Sequence, residues 1–164
     1  MACVYLGLGT NLGNQEQNLY DAVQKIEKRI GEKLSLSAFY ITAPWGFTSG
    51  NDFLNAVINV DSPLLPLVIL KETQIIELEM GRKKEKQEID ESTIGGRVYH
   101  DRLIDIDLLL YDNLIMTTKE LTLPHPLMTE RIFVMKPLVE IAPEVVHPVF
   151  GRTMLEILSS LTSL

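Results

Sequence analysis

Asp105 and Asp107 stand one residue apart inside the apolar run Leu103-Ile104-Asp105-Ile106-Asp107-Leu108-Leu109-Leu110, with Arg102 immediately before it. That density of β-branched and aliphatic residues predicts a strand over residues 102–110. Side chains alternate along a strand, so Ile104, Ile106, Leu108 and Leu110 are expected on one face and Leu103, Asp105, Asp107 and Leu109 on the other. Two carboxylates so placed are roughly 6.5–7 Å apart. They repel each other, and partial burial strips their hydration. A cation between or above them offsets both costs. Hard oxygen donors from only two side chains suit magnesium, which keeps waters and takes its remaining ligands from substrate phosphates. The plainer alternative is an amphipathic strand that turns both aspartates to solvent. Against it stand the scarcity of Asp in strands, the leucines beside the pair on its own face, and Arg102, whose guanidinium can grip a phosphate bidentately.

Other residues offer weaker chemistry. His125 lies between two prolines in Leu123-Pro124-His125-Pro126, which hold the backbone extended. An imidazole so presented can donate to a phosphate, or can be structural. The Gly7-x-Gly9-x-x-x-Gly13 spacing misses the dinucleotide fingerprint by one residue, so nicotinamide or flavin binding is not expected. No Ser/His/Asp or Cys/His constellation stands out, and His100 and His147 have no partner pattern.

The elements that must position these groups follow from periodicity and punctuation. Val4–Leu8 reads as a first strand, and the glycine-rich segment 7–13 as a turn opening a helix. In that helix Leu19, Ala22, Val23, Ile26 and Ile30 recur at helical spacing, Asn14 can cap the start, and Gly31 suits a left-handed C-terminal position. Leu34–Tyr40 and Phe53–Val60 are expected strands, joined by a Pro/Gly/Trp segment. A second helix is expected over about 66–80, from Pro66 to Met80, ended by Gly81. With the aspartate strand next, the order is βαββαβ, the ferredoxin-like split βαβ arrangement. Residues 82–97 are densely charged but nearly balanced in sign. They read either as a solvated loop or as a lid over a ligand.

Composition narrows the class. The chain has 164 residues, 46% of them hydrophobic and 23% charged, as expected for one soluble domain with a sizeable core. A net charge of −7 argues against nonspecific nucleic-acid or anionic-membrane binding. No signal peptide or membrane span is expected, since the N-terminus lacks a basic region and the apolar stretch Leu64–Leu70 is short and holds Pro66. A lone cysteine, Cys3, excludes an internal disulfide framework and a Cys-rich zinc site, fits a reducing cytoplasm, and is expected to be a small core residue.

An ordered set of segments carries a further signal. Gly9-Thr10-Asn11-Leu12, Thr42 with Pro44 and Gly46, Phe53-Leu54-Asn55-Ala56, Thr73-Gln74 with Glu77-Leu78 and Gly81-Arg82, Arg102-Leu103-Ile104-Asp105-Ile106-Asp107, Leu123-Pro124-His125, Arg131 through Phe133, and Pro137-Leu138-x-Glu140-Ile141-Ala142-Pro143 occur in sequence. This series, over nearly the whole chain, resembles the 6-hydroxymethyl-7,8-dihydropterin pyrophosphokinases of folate synthesis. The resemblance implies an α+β, three-layer αβα fold on a ferredoxin-like core with a mainly antiparallel sheet. It implies transfer of diphosphate from ATP to the pterin's hydroxymethyl group, leaving AMP.

By position, the resemblance makes Asp105 and Asp107 ligands of two Mg2+ ions and assigns Arg82 and Arg102 to catalysis. Asn55 would read the pterin edge, with Phe53 and Phe133 lining the heterocycle and Thr42, Pro44 and Trp45 as a loop wall. Gln74, Glu77, Tyr99 and Leu108 would lie on the ATP side, with Arg82, Arg102, His125 and Arg131 at the phosphates. The expected partners are ATP and the pterin alone, for a cytoplasmic monomer formed as a single domain over residues 1–164. Tyr99-His100-Asp101-Arg102 stands where the resemblance leads one to expect Trp-Gly-Pro-Arg, and Trp45 replaces a smaller aliphatic residue. Two other classes would use the same carboxylates. One is a binding module holding a structural cation, the other a magnesium-dependent nucleotidyltransferase or nuclease.

Overall fold

The computed structural model describes residues 1–42, 52–82 and 103–162. At the centre is β1 (Ala2–Thr10), antiparallel to β4 (Phe53–Ser62) on one side and to β5 (Asp105–Tyr111) on the other. The outer edge of β4 carries β2 (Glu32–Leu36) and, further along, the short β3 (Tyr40–Thr42). The sheet order is β2-β4-β1-β5, with β3 also on β4. Helices α1 (Gln15–Arg29) and α2 (Pro66–Glu77) make the two crossovers, so that with β3 set aside the chain runs in the expected βαββαβ series. Beyond β5 come a small hairpin, β6 (Met116–Thr117) and β7 (Thr122–Leu123), then α3 (Ile132–Ile141) and α4 (Met154–Thr162).

Three layers result because both sheet faces are apolar over most of their length. Val4, Leu6 and Leu8 of β1, Ala56, Ile58 and Val60 of β4, and Ile106 and Leu108 of β5 pack with Leu19, Ile26, Ile69 and Ile76 of α1 and α2. On the other face Tyr5, Val57, Leu109 and Leu110 pack with Met135 and Leu138 of α3 and Met154 and Ile157 of α4. Each large aliphatic side chain so buried contributes about 1.5–3 kcal/mol before entropy is counted. Among the described residues no helix is long and apolar enough to cross a membrane.

Several local expectations change for identifiable reasons. β1 extends to Thr10, so Gly7 and Gly9 belong to the strand and not to a turn. Asn14 caps α1 as expected, accepting from the Gln17 N–H at 3.1 Å. The helix nevertheless ends at Ile30 in a right-handed conformation, and Gly31 is not among the positive-φ residues. Gly31 is required by close approach: a Cβ there would collide with the Asp61 carbonyl of β4, where Ser62 Oγ donates to the Ile30 carbonyl at 2.6 Å. Cys3 is only half-buried, with Sγ 3.3 Å from the Asn59 Oδ1.

The strand expected over 34–40 is broken at 37–39. Ser37 is buried there. Its hydroxyl accepts from the Val57 N–H at 2.9 Å and donates to the Ala38 carbonyl at 2.8 Å, which replaces a rung of the ladder and starts β3 afresh. The second helix gives up α geometry at Glu77 and continues as a π-helical turn, Leu78–Arg82, containing Gly81 at φ 134°. An L side chain rarely adopts that φ, and the Leu103 side chain occupies the space where one would sit. The stretches before and after residues 83–102 therefore meet at Gly81 and Leu103. Arg29 ties α1 to this region, reaching Glu79 at 2.6 Å and Glu72 at 3.2 Å.

β5 starts at Asp105, not at Arg102, and a bulge opposite Tyr5 and Leu6 shifts its register. Leu103, before the strand, packs with the α1/α2 layer, and the bulge carries Leu110 onto the α3/α4 layer beside Leu109. Both residues thus lie opposite to where strict alternation over 102–110 puts them. We expect Gly31→Ala to lower stability by about 2–3 kcal/mol through backbone overpacking. Urea unfolding checks this, and an unchanged midpoint would show that the α1–β2 corner has room for a methyl group.

Candidate active site

Register decides which polar groups share a face. Gly9 is paired with Asn55 on one side and Asp105 on the other, Gly7 with Val57 and Asp107, and Tyr40 with Asn55. Paired residues point the same way, so Asp105, Gly9, Asn55 and Tyr40 form one row across four strands. Asp107 and Gly7 lie in the next row. The apolar cluster beneath α3 and α4 takes in Tyr5, Val57, Leu109 and Leu110 and stops short of the Gly9 row. Gly9 leaves a floor without a side chain between Asp105 and Asn55, a span of roughly 10 Å at ordinary strand spacing, whereas Gly7, in the next row, is overlain by the Leu109 side chain. That floor is closely fitted: a Cβ on Gly9 would lie 3.2 Å from Asn55 Oδ1 and 3.7 Å from the Phe53 ring.

One end of the floor is lined by an amide and aromatic rings. Asn55 is buried, and its Nδ2 donates to Thr42 Oγ1 at 2.9 Å and to the Tyr40 carbonyl at 3.4 Å. The strand β3 therefore fixes the carboxamide in its plane. Phe53 lies half-buried on the same face, paired with Thr42. Phe133, on the first turn of α3, packs half-buried against the second core, with the Arg131 guanidinium 5.7 Å from its ring centroid.

The other end is charged. Asp105 and Asp107 are half-buried on β5, and Arg131, just before α3, brings Nη1 to 3.9 Å from Asp107 Oδ2. His125 is anchored by its backbone, whose N–H donates to the Leu109 carbonyl at 3.0 Å. Its Nδ1 accepts from the Leu127 N–H at 3.2 Å, which puts the proton of the neutral ring on Nε2. Burial, with the Arg131 guanidinium second, pushes this imidazole down to about 4 against a smaller pull from Asp105. The ring is thus a neutral donor at pH 7. Among the described residues no group of three or more His, Cys, Asp or Glu side chains could hold a metal by itself. A pair of carboxylates that leaves most ligand positions to water and substrate oxygen suits magnesium rather than calcium or zinc.

The residues expected from sequence are brought together unevenly. Asp105, Asp107, His125, Arg131, Asn55, Thr42, Phe53 and Phe133 converge on the α3/α4 face as described. Glu77 is different: it is buried, and its Oε2 accepts from the Ile106 N–H at 2.9 Å. It satisfies the free edge of the aspartate strand. Gln74, one turn earlier on α2, is exposed. The Leu108 side chain is buried in the α1/α2 core, so only its backbone is available to a ligand. Pro44, Trp45, Tyr99 and Arg102, with the lid expected over 82–97, lie outside the described residues, as does the side chain of Arg82. Sequence reasoning missed the floor at Gly9. Its signal was present, since a glycine within a strand pattern marks a close approach to one face.

Comparison with known proteins identifies the family and the fold. Residues 5–143 match the family model described as 7,8-dihydro-6-hydroxymethylpterin-pyrophosphokinase. The 2-amino-4-hydroxy-6-hydroxymethyldihydropteridine pyrophosphokinase of Porphyromonas gingivalis is 47% identical over 149 residues, 90% of this chain and 95% of that protein. The enzyme of the same description from Aquifex aeolicus is 36% identical over 156 residues, 95% of this chain and 90% of the relative. Among solved structures, a Plasmodium falciparum HPPK-DHPS chain superposes with a TM-score of 0.77 at 17% identity, which shows the fold. The alignment covers 99% of this chain and 44% of that longer one.

His125 supplies a test of the site's electrostatics. Its folded value near 4 lies below the ordinary 6.5, so between those values the unfolded chain binds the proton first. The neutral ring's contribution is present above about pH 6.5 and is lost as pH falls toward 4. After discounting for solvent screening it is on the order of 2 kcal/mol. NMR titration of the substrate-free protein is expected to find a midpoint near 4. The fall in Tm between pH 7 and 4.5 is expected to be shallower in His125→Asn, and a midpoint in the usual histidine range would contradict the assignment.

Proposed function

The chain belongs to the 7,8-dihydro-6-hydroxymethylpterin-pyrophosphokinase family, and from that premise we propose how its site works. The protein transfers diphosphate from ATP to the hydroxymethyl group of 6-hydroxymethyl-7,8-dihydropterin, giving AMP and the pterin diphosphate, a step of folate biosynthesis. The observation that carries this reading is the row in which Gly9 stands between Asn55 and Asp105. It joins an amide-and-aromatic end suited to a flat heterocycle with an acidic and cationic end suited to metal-bound phosphates.

Asn55 binds the pterin edge through whichever amide groups β3 leaves free, and Phe53 and Phe133 line its faces, with Thr42, Pro44 and Trp45 as the wall. Asp105 and Asp107 would hold two Mg2+ ions. When bound there, the ions would neutralise phosphate charge as Lewis acids. Arg131, poised against Asp107, is available to a phosphate, and His125 donates from Nε2 without adding charge. Arg82 and Arg102 complete the clamp and offset charge on the departing AMP oxygen. Gln74, Tyr99 and the Leu108 backbone face the nucleotide. Glu77 acts from behind, holding the Ile106 N–H and so the position of both aspartates.

No residue needs to bond to the transferred group. The contribution of the chain is orientation, charge and exclusion of water, which together bring the hydroxyl in line with the β-phosphorus. We further read residues 1–164 as one domain acting as a cytoplasmic monomer. The single sheet shared by both cores supports the first of these statements.

A mass-spectrometric assay with ATP, magnesium and the dihydropterin is expected to give AMP and diphosphorylated pterin in equal amounts. Release of ADP or of free pyrophosphate would instead mark phosphoryl or nucleotidyl transfer and overturn the reading. Asp105→Ala and Asp107→Ala should each lose about a thousandfold or more in turnover with the fold retained. Near-normal rates in both would remove them as metal ligands. Gly9→Ala, which presses on the Asn55 amide, is expected to raise KM for the pterin more than KM for ATP. Equal effects on the two substrates would mean that the floor does not shape the pterin end.

A further inference from the structure

The segment Pro137-Leu138-Val139-Glu140-Ile141-Ala142-Pro143 is left without a role by the site as described. Most of it is accounted for by packing, since Pro137, Leu138 and Ala142 are buried against the sheet. Glu140 is not: it is an exposed side chain on the last turn of α3. Yet both of its oxygens are engaged with the link between β2 and β3. Oε1 and Oε2 accept from the Ala38 N–H at 3.1 and 3.0 Å, and Oε1 accepts from the Tyr40 hydroxyl at 2.6 Å.

Those contacts fall where the chain is otherwise about to lose its register. Between Leu36 and Tyr40 the ladder is interrupted, and three residues are held from three directions. Ser37 is bonded to Val57, Ala38 to Glu140, and the Phe39 ring packs tilted at 59° against Tyr20 of α1, with centroids 5.1 Å apart. Directly after them Tyr40 pairs with Asn55, its carbonyl accepts from the Asn55 amide, and Thr42 Oγ1 takes the second amide proton. Whatever sets the position of Ala38 and Tyr40 thus sets the amide of Asn55. At its other end the same helix carries Phe133 and is preceded by Arg131.

We infer that Glu140 is a positioning residue for the pterin end of the site, a carboxylate that fastens β3 to α3 so that Thr42, Asn55 and Phe133 keep one geometry. It touches no reacting atom. It acts through Tyr40 and Ala38, and the carboxylate raises the Tyr40 phenol above its usual value, so the hydroxyl stays protonated and donating throughout the neutral range. A charged acceptor that shares one N–H between its two oxygens and takes one short O–H contact holds a strand end more firmly than a neutral group would. The inference rests on the proposed reaction for its readout, because it concerns which substrate is affected.

The test is a steady-state comparison of wild type, Glu140→Ala, Glu140→Gln and Tyr40→Phe, with KM for the dihydropterin, KM for ATP and kcat measured separately. Glu140→Ala is expected to raise the pterin KM about tenfold and to leave the ATP KM within about twofold. Tyr40→Phe keeps the ring and loses only the hydroxyl contact, so a rise of about threefold is expected. Glu140→Gln keeps an acceptor for Ala38 and a partner for Tyr40 and should recover most of the loss. A merely structural contact would lower Tm and leave both KM values alone, or would move both together, and either result overturns the inference. Turnover by the wild type is read first. If it forms no AMP, the reaction itself is wrong and the inference falls with it; if it does and the Glu140→Ala pterin KM is unchanged, the inference alone is wrong.

Discussion

A strand buried between two others, with helices on both sides, has to present an apolar side chain at nearly every position. β1 obeys this on the α1/α2 face without exception at Val4, Leu6 and Leu8. On the other face Cys3 and Tyr5 pack against the second core, and then come Gly7, overlain by Leu109, and Gly9. The rest of the site depends on that break. Two neighbouring strands at about 5 Å spacing carry Asn55 and the aspartates, and any side chain on Gly9 would fill the gap between them. The missing Cβ of Gly9 leaves the sheet face open between Asn55 and Asp105, beyond the end of the second core.

Once the floor exists, electrostatics govern its charged end. Asp105 and Asp107 are held at fixed spacing by a strand whose exposed edge is satisfied from behind by Glu77, a buried carboxylate bonded to the intervening Ile106 N–H. A buried anion left without such a partner would be costly, so the bond both satisfies the edge and fixes the height of the aspartate pair. Arg131 balances the pair on the open side. The neutral state of His125 belongs to the same arrangement, because burial disfavours the charged ring and the neighbouring Arg131 guanidinium repels it further.

The third helix joins the two ends. Its first turn follows Arg131 and carries Phe133, and its last turn carries Glu140, which reaches the start of β3. The α3 surface between them shares the second core with Val57 and Tyr5, which lie on the same face of β4 and β1 as the Gly9 row. Displacement of α3 would therefore be felt by the arginine, the aromatic wall and the Asn55 amide together. This gives the motif around Glu140 a physical meaning beyond core packing.

Much of this was readable from local chemistry. The aspartate pair and its common face followed from period-two alternation, and the α1 cap and the βαββαβ order from periodicity and punctuation. The misreadings share a cause. Gly31 was read as a left-handed terminus and segment 34–40 as one strand. Each is decided by a partner far away in the chain: the Asp61 carbonyl, and the Glu140 and Val57 contacts. Likewise the bulge that moves Leu110 to the opposite layer arises from the pairing of β5 with β1, to which neither strand alone gives any clue. Residue type and spacing are local quantities, and they settled which groups could do chemistry. Register and close approach are relations between distant segments, so only the folded chain could decide that Gly9 would lie between Asn55 and Asp105 and join them in one site.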